Sequence, residues 1–130
     1  MVGYLLVTHG EIGSSLADCV YHIFNKKISR LDCISINPTD DIDKKKIAIS
    51  QKIKKNNSGD GVIIFTDIIG ATPCNILKDF IIKNKVEVLT GVNAAMLIKA
   101  LSSKNKDLNN IIQDCIEAAE ENILQIDPND

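Results

Sequence analysis

The run Val62–Thr66 (VIIFT) follows the turn-rich NNSGDG, and its first four residues, VIIF, are apolar at every position. A run that short reads as a strand, and a strand without a polar side must be covered on both faces. The arrangement that meets this demand is a parallel sheet between two layers of helices. Three more short runs fit it: Val2–Thr8 (VGYLLVT), Leu31–Ile36 (LDCISI) and Val86–Thr90 (VEVLT). Between and after them come helical patterns. Leu16, Val20 and Ile23 recur at helical spacing over Ser14–Phe24, and Ile42, Ile49 and Ile53 share a face of a lysine-rich segment. GATP places Thr72 as N-cap and Pro73 at the first helical position of a helix carrying Ile76, Leu77, Phe80 and Ile81. Further helices are expected from about Ala94 to Leu101, and along Leu108, Ile111, Ile112, Cys115, Ile116 and Ala119. The expectation is one α/β domain over residues 1–130, a three-layer sandwich with a mainly parallel central sheet and no linker or repeat.

Composition removes several classes of function. The 130 residues carry a formal net charge of −2, only 4% aromatics and no tryptophan, which argues against a nucleic-acid surface built on basic and stacking residues. Cys19, Cys33, Cys74 and Cys115 form no CxxC and no Cys/His set at zinc spacing, so they read as reduced thiols in apolar positions. No signal peptide and no long apolar span is evident, and a cytoplasmic protein is expected. Neither a metal nor a cofactor is expected.

In open α/β sheets ligands bind beyond the carboxyl ends of the strands, where strand order reverses. With the common order 2-1-3-4 that point lies between strands one and three, whose following loops read THGEIG and TDIIGATPCN. His9 and Asp67 are thereby brought together from positions 58 apart. A carboxylate on one ring nitrogen fixes the tautomer, leaves the other nitrogen nucleophilic, and stabilises positive charge when it attacks. Helix starts near Ser14, Thr72 and Asn93 surround the pair, and their free N–H groups suit an anion such as phosphate. Phosphoryl transfer through a phosphohistidine is the chemistry this pattern suggests. No P-loop is present to bind a nucleotide as donor.

VTHG, TDIIGATPCN and GVNAAM, in that order over nearly the whole chain, resemble the mannose-family enzyme IIA domains of the bacterial phosphoenolpyruvate:sugar phosphotransferase system. The resemblance implies a phosphotransferase in which His9 accepts phosphate from HPr and passes it to an enzyme IIB partner, feeding the membrane components IIC and IID. It implies Asp67 as the orienting carboxylate, and Thr72 with backbone N–H groups around Gly10, Gly70 and Ala71 as phosphoryl ligands. Homodimers are usual in the family, with a C-terminal strand that can join the partner's sheet. NILQI is the candidate here for such an antiparallel strand. Many relatives carry proline where Ala95 stands. The same chemistry would serve a regulatory phosphocarrier of an incomplete system, or the phosphocarrier of a dihydroxyacetone kinase.

Two other classes share the fold. A receiver domain would put its phosphoacceptor at Asp67 but needs acidic residues after strand one, where Thr8-His9-Gly10 stands. A flavin carrier needs a Ser/Thr-rich loop there and aromatics to sandwich the ring. Of the remaining candidates, His22 reads as structural or surface, Lys44–Lys46 with Lys52, Lys54 and Lys55 as a solvated helix face, and Cys74 as a small hydrophobe. Glu11 could edge a surface for HPr.

Overall fold

The computed structural model describes residues 1–28, 30–104 and 106–130. Strands β1 (Gly3–His9), β2 (Leu31–Ile36), β3 (Val62–Phe65) and β4 (Val86–Leu89) form an all-parallel sheet in the order β2-β1-β3-β4. The helices are α1 (Ile12–Phe24), α2 (Ile42–Asn56), α3 (Thr72–Leu77, followed by a 3₁₀ turn at Lys78–Phe80), α4 (Ala94–Ser102) and α5 (Leu108–Glu121). None is long and apolar enough to cross a membrane.

The two central strands divide their side chains between two cores. Tyr4, Leu6, Ile63 and Phe65 pack with Val20 of α1, Leu97 of α4 and Ile111 of α5. Leu5, Val7, Val62 and Ile64 face the other way, onto Ile49 and Ile53 of α2 and Ile76 and Leu77 of α3. That division is the period-two alternation of a strand. Every residue of β3 is fully buried, so the unbroken apolar run is explained. Fully burying such a side chain contributes about 1.5–3 kcal/mol, which makes both helical layers necessary to the sheet.

Helix starts follow local chemistry, with two shifts from the expected positions. Asp41, Asn93 and Asp107 cap α2, α4 and α5 through side-chain oxygens that accept backbone N–H groups one turn in. By contrast, α1 begins at Ile12, two residues before Ser14, and Glu11 at its cap position makes no side-chain bond. Its Gly13 N–H instead meets Thr8 Oγ1 at 2.8 Å, so the capping group comes from the preceding strand. Thr72 is the first residue of α3 rather than its cap. Extended Ala71 takes the cap position, and Pro73 falls within the first turn, where its missing N–H leaves no bond unmade.

Two other expectations are corrected. Phe80 lies in the 3₁₀ turn and Ile81 beyond it, 47% exposed, because α3 stops at Leu77. Cys19 lies on the solvent side of α1, whereas Cys74 and Cys115 are buried and Cys33 is half-buried. The NILQI segment forms no strand among the described residues. Local bonds take its neighbours' backbone: Ile123 N–H returns to the Glu120 carbonyl and Asp130 N–H to that of Asp127. Ile123, Leu124 and Ile126 stay 76–82% exposed.

Candidate functional site

His9 is the last residue of β1, aligned with Ile36 of β2. Alternation turns its ring away from the α1 side, where Thr8 is buried. Gly10 follows with φ +45° and donates its N–H to the Ile36 carbonyl at 3.1 Å. A side chain strongly disfavours that backbone conformation, so glycine is what lets the chain leave β1 at this angle. Gly10 therefore holds the turn, and its amide is engaged with β2 rather than with the space above His9.

Asp67 sits two residues beyond β3, the neighbour of β1 on the other side. Its Oδ2 lies 2.7 Å from His9 Nδ1 and accepts the His9 backbone N–H at 3.3 Å, so one carboxylate oxygen grips both ring and main chain. Thr66, fully buried, points its hydroxyl at the other oxygen at 3.4 Å. The β4–α4 loop fixes the backbone below, with Val92 N–H on the Thr66 carbonyl and Gly91 N–H on the Asp67 carbonyl, each at 3.0 Å.

The electrostatics assign the tautomer. Burial by itself pushes the Asp67 carboxyl upward, but hydrogen bonds from the His9 ring and backbone outweigh it and hold the group below its ordinary value. An ionised carboxylate only accepts, so Nδ1 carries a proton, and in the neutral ring the lone pair is left on Nε2. The Asp67 side chain is 7% exposed and that of His9 is 45% exposed. The pair thus joins a shielded carboxylate to an accessible imidazole.

The remaining expected ligands lie on the loop after Asp67. Gly70 has φ +82°, and its carbonyl accepts the Asn75 side-chain N–H at 3.2 Å, which braces the loop against α3. Ala71 is half-buried and Thr72 exposed at the first turn of α3. Among the described residues no group of His, Cys, Asp and Glu could hold a metal ion. Glu11 is exposed beside the β1 turn, and His22 is exposed on α1.

Three features of the site were not anticipated. Thr8 anchors α1 and Thr66 faces Asp67; both precede a motif residue and are nearly inaccessible to solvent. Ile68 and Ile69, directly after Asp67, are 59% and 76% exposed. Two isoleucines in a loop that also holds glycine and an acid were the available signal, since core residues seldom sit there.

The molecule is thus an open parallel α/β sheet with a carboxylate-braced, accessible histidine at its switch point. Residues 3–120 match the family described as the PTS system fructose IIA component. The chain belongs to this phosphotransferase-system enzyme IIA family, of the fructose and mannose type. A phosphotransferase-system phosphocarrier is accordingly the general role that family and fold support. The fold is similar to that of the phosphotransferase system component EIIA from Streptococcus agalactiae (20% identity, 96% of this chain and 97% of that one, TM-score 0.82). It is equally similar to the mannose/sorbose specific IIA subunit from Enterococcus faecalis (18%, 97% and 95%, TM-score 0.82). The PTS IIA protein associated with the fucose utilization operon of Streptococcus pneumoniae also aligns (22%, 96% and 96%, TM-score 0.82). At such identities the likeness is one of fold. Comparison with curated proteins gave no significant match.

Proposed function

We propose that His9 is the phosphoacceptor, charged by the phosphocarrier HPr and discharged to an enzyme IIB partner during sugar uptake. The observation that carries this reading is the 2.7 Å contact from Asp67 to Nδ1 of a ring that stays accessible. The Nε2 lone pair attacks the phosphorus of the donor's phosphohistidine, forming the new N–P bond as the old one breaks. The donor imidazole keeps the electron pair. Positive charge gathered on the His9 ring is met at Nδ1–H by the Asp67 carboxylate. The acceptor's histidine reverses these roles. Thr72 and the backbone around Gly70 and Ala71 hold the phosphoryl oxygens, and Gly10 serves by shaping the turn.

Exposed Ile68 and Ile69, in the loop directly after Asp67, favour a protein over a small molecule as donor, since apolar area near a reactive group is what a docking surface offers. The apolar tail, Ile123 to Ile126, supports a homodimer in which it joins the partner's sheet. In this reading the protein is cytoplasmic and meets the membrane components only through enzyme IIB.

Intact-mass measurement at neutral to alkaline pH tests the proposal, with phosphoenolpyruvate, enzyme I and HPr supplied. The expected result is one phosphate-sized increase, lost in acid and absent from His9→Ala. Added enzyme IIB should then remove it. A phosphorylated His9→Ala protein overturns the site, and an unmodified wild type beside phosphorylated HPr overturns the donor.

A further inference from the structure

The amino-terminal edge of the sheet carries a second feature, remote from His9. Leu31, at the start of β2, pairs with Tyr4 of β1. Five residues of strand separate Tyr4 from His9, about 17 Å. At this far edge a groove of about 530 Å³ opens between the end of α1 and the end of α4. Phe24, Ile28 and Leu101 supply its apolar lining, and Lys26, Lys27, Arg30 and Lys104 its charge. Among the described residues no carboxylate lines it.

This concentration of charge needs an explanation on a chain of net charge −2. Cations are favourable beside helix C-termini, but each such end offers only about half a negative charge. Two helix ends against four cations leave roughly three positive charges uncompensated. Elsewhere Lys52 and Lys55 share Asp32, Lys45 pairs with Asp40, Lys46 with Asp79 and Lys106 with Asp114, while Lys44, Lys54, Lys78, Lys83, Lys85 and Lys99 make no ion pair among the described residues. The groove differs in gathering four such cations around one apolar concavity. Among the described residues no ion pair reaches any of the four cations of the groove. Arg30 is partly occupied by the fold, donating to the Leu101 carbonyl at 3.4 Å and lying 5.4 Å from the Tyr4 ring centroid. Lys26, Lys27 and Lys104 are exposed.

We infer that this groove binds an acidic segment of a partner protein, which seats one apolar side chain between Phe24, Ile28 and Leu101 and meets the lysine rim with carboxylates. Apolar lining and a like-charged rim in one concavity favour that occupant. A single-stranded nucleic acid would need stacking platforms, and the one aromatic here, Phe24, is packed against the core; a duplex would meet the rim through its phosphates and leave the apolar floor unfilled. A lipid surface would touch the rim and leave the concave floor unfilled. Because the groove and His9 lie at opposite ends of the sheet, such a partner stays bound while the histidine is charged or discharged.

Fluorescence titration with a labelled peptide of aspartates around one central leucine tests this, using the full chain. Binding should be saturable and weaken as salt rises, with amide shifts confined to residues 24–28 and 101–104. The Lys27→Glu/Lys104→Glu variant should bind about ten-fold more weakly, and Lys27→Gln/Lys104→Gln by an intermediate amount. His9→Ala should bind as wild type does, which separates this result from the fate of the phosphoryl proposal. Equal binding of a peptide with alanine for leucine, or by the reversed-charge variant, overturns the inference. So does equally strong competition by duplex DNA or by phosphatidylserine vesicles.

Discussion

The hydroxyl oxygen of Thr8 accepts the N–H of Gly13 at 2.8 Å, and through that bond α1 is seated on the end of β1. Thr8 also donates to the His9 carbonyl at 3.3 Å, so one buried hydroxyl links the reactive residue's main chain to the first turn of the neighbouring helix. A Cβ added to Gly13 would lie 2.9 Å from Thr8 Oγ1 and 3.2 Å from Leu6 Cβ. The helix approaches this closely because position 13 has no side chain.

Gly13→Ala sets two effects against each other. Alanine gains up to about 1 kcal/mol in helix propensity over glycine. Overpacking at a tight contact costs about 1–3 kcal/mol, and here it also displaces the capping bond. The net expectation is destabilisation, read as a lower urea midpoint. Thr8→Val should destabilise by a similar 1–3 kcal/mol, because the buried Gly13 N–H loses its acceptor. Thr8→Ser should recover most of that loss, and a Thr8→Val protein as stable as wild type would show that the bond contributes nothing.

Asp67→Asn keeps the shape of the side chain but removes the charge that sets the His9 tautomer. Phosphorylation of His9 should slow by about a hundred-fold or more, as expected when a group that steers a proton is lost. Rapid-quench phosphorylation by HPr checks the rate, and circular dichroism should show the fold retained. Transfer at the wild-type rate would leave Asp67 without a part in the chemistry.

Acid should weaken the fold through two carboxylates. Burial raises both Asp67 and Asp32, but hydrogen bonds outweigh it, from His9 in the first case and from Asn56 and Lys55 in the second. Both groups therefore titrate below 3.8, their ordinary value. A lowered folded value means that the unfolded chain binds protons first as pH falls. The stabilisation is complete above the unfolded value and disappears as pH drops through the folded one. Urea midpoints measured from about pH 5 to about pH 3 should fall more steeply for wild type than for Asp67→Asn/Asp32→Asn.

Ile69→Ser removes exposed apolar area from the loop that follows Asp67. Stability should change by no more than about 0.5 kcal/mol, since the side chain is 76% exposed. Phosphorylation by HPr should require more HPr for half-saturation, with the saturated rate unchanged. An unaltered HPr dependence would remove this loop from the docking surface.

The fold was legible because its strongest signals are local and repeated. VIIF required covering on both sides, the strand–helix alternation then fixed a parallel sheet, and its common order 2-1-3-4 located the switch point. His9 and Asp67 were legible as a pair for the same reason, each ending or following a central strand. Helix starts were less so. Ser14 and Thr72 are good capping residues by type, yet α1 takes its cap from Thr8, a tertiary contact that no local pattern contains. Gly10 reads as a phosphate-loop glycine until its N–H is found on the Ile36 carbonyl, a bond that depends on β2 lying alongside. The roles of Thr66 and of the Gly91 and Val92 amides likewise depend on which strand lies next to which.

β1 lies between β2 and β3, so the strand bearing the nucleophile gains its neighbours from opposite directions along the chain. A nascent chain that has emerged only as far as β2 and α2 already contains His9 and the wall on one side of it. It has no carboxylate at Nδ1 until β3 docks and carries Asp67 into place. The contact that arms the ring is also among the long-range ones, and such contacts form late because distant segments must first be brought together. Under the role proposed for His9, taking up phosphate is therefore a property of the finished fold alone, because the carboxylate partner arrives only with β3.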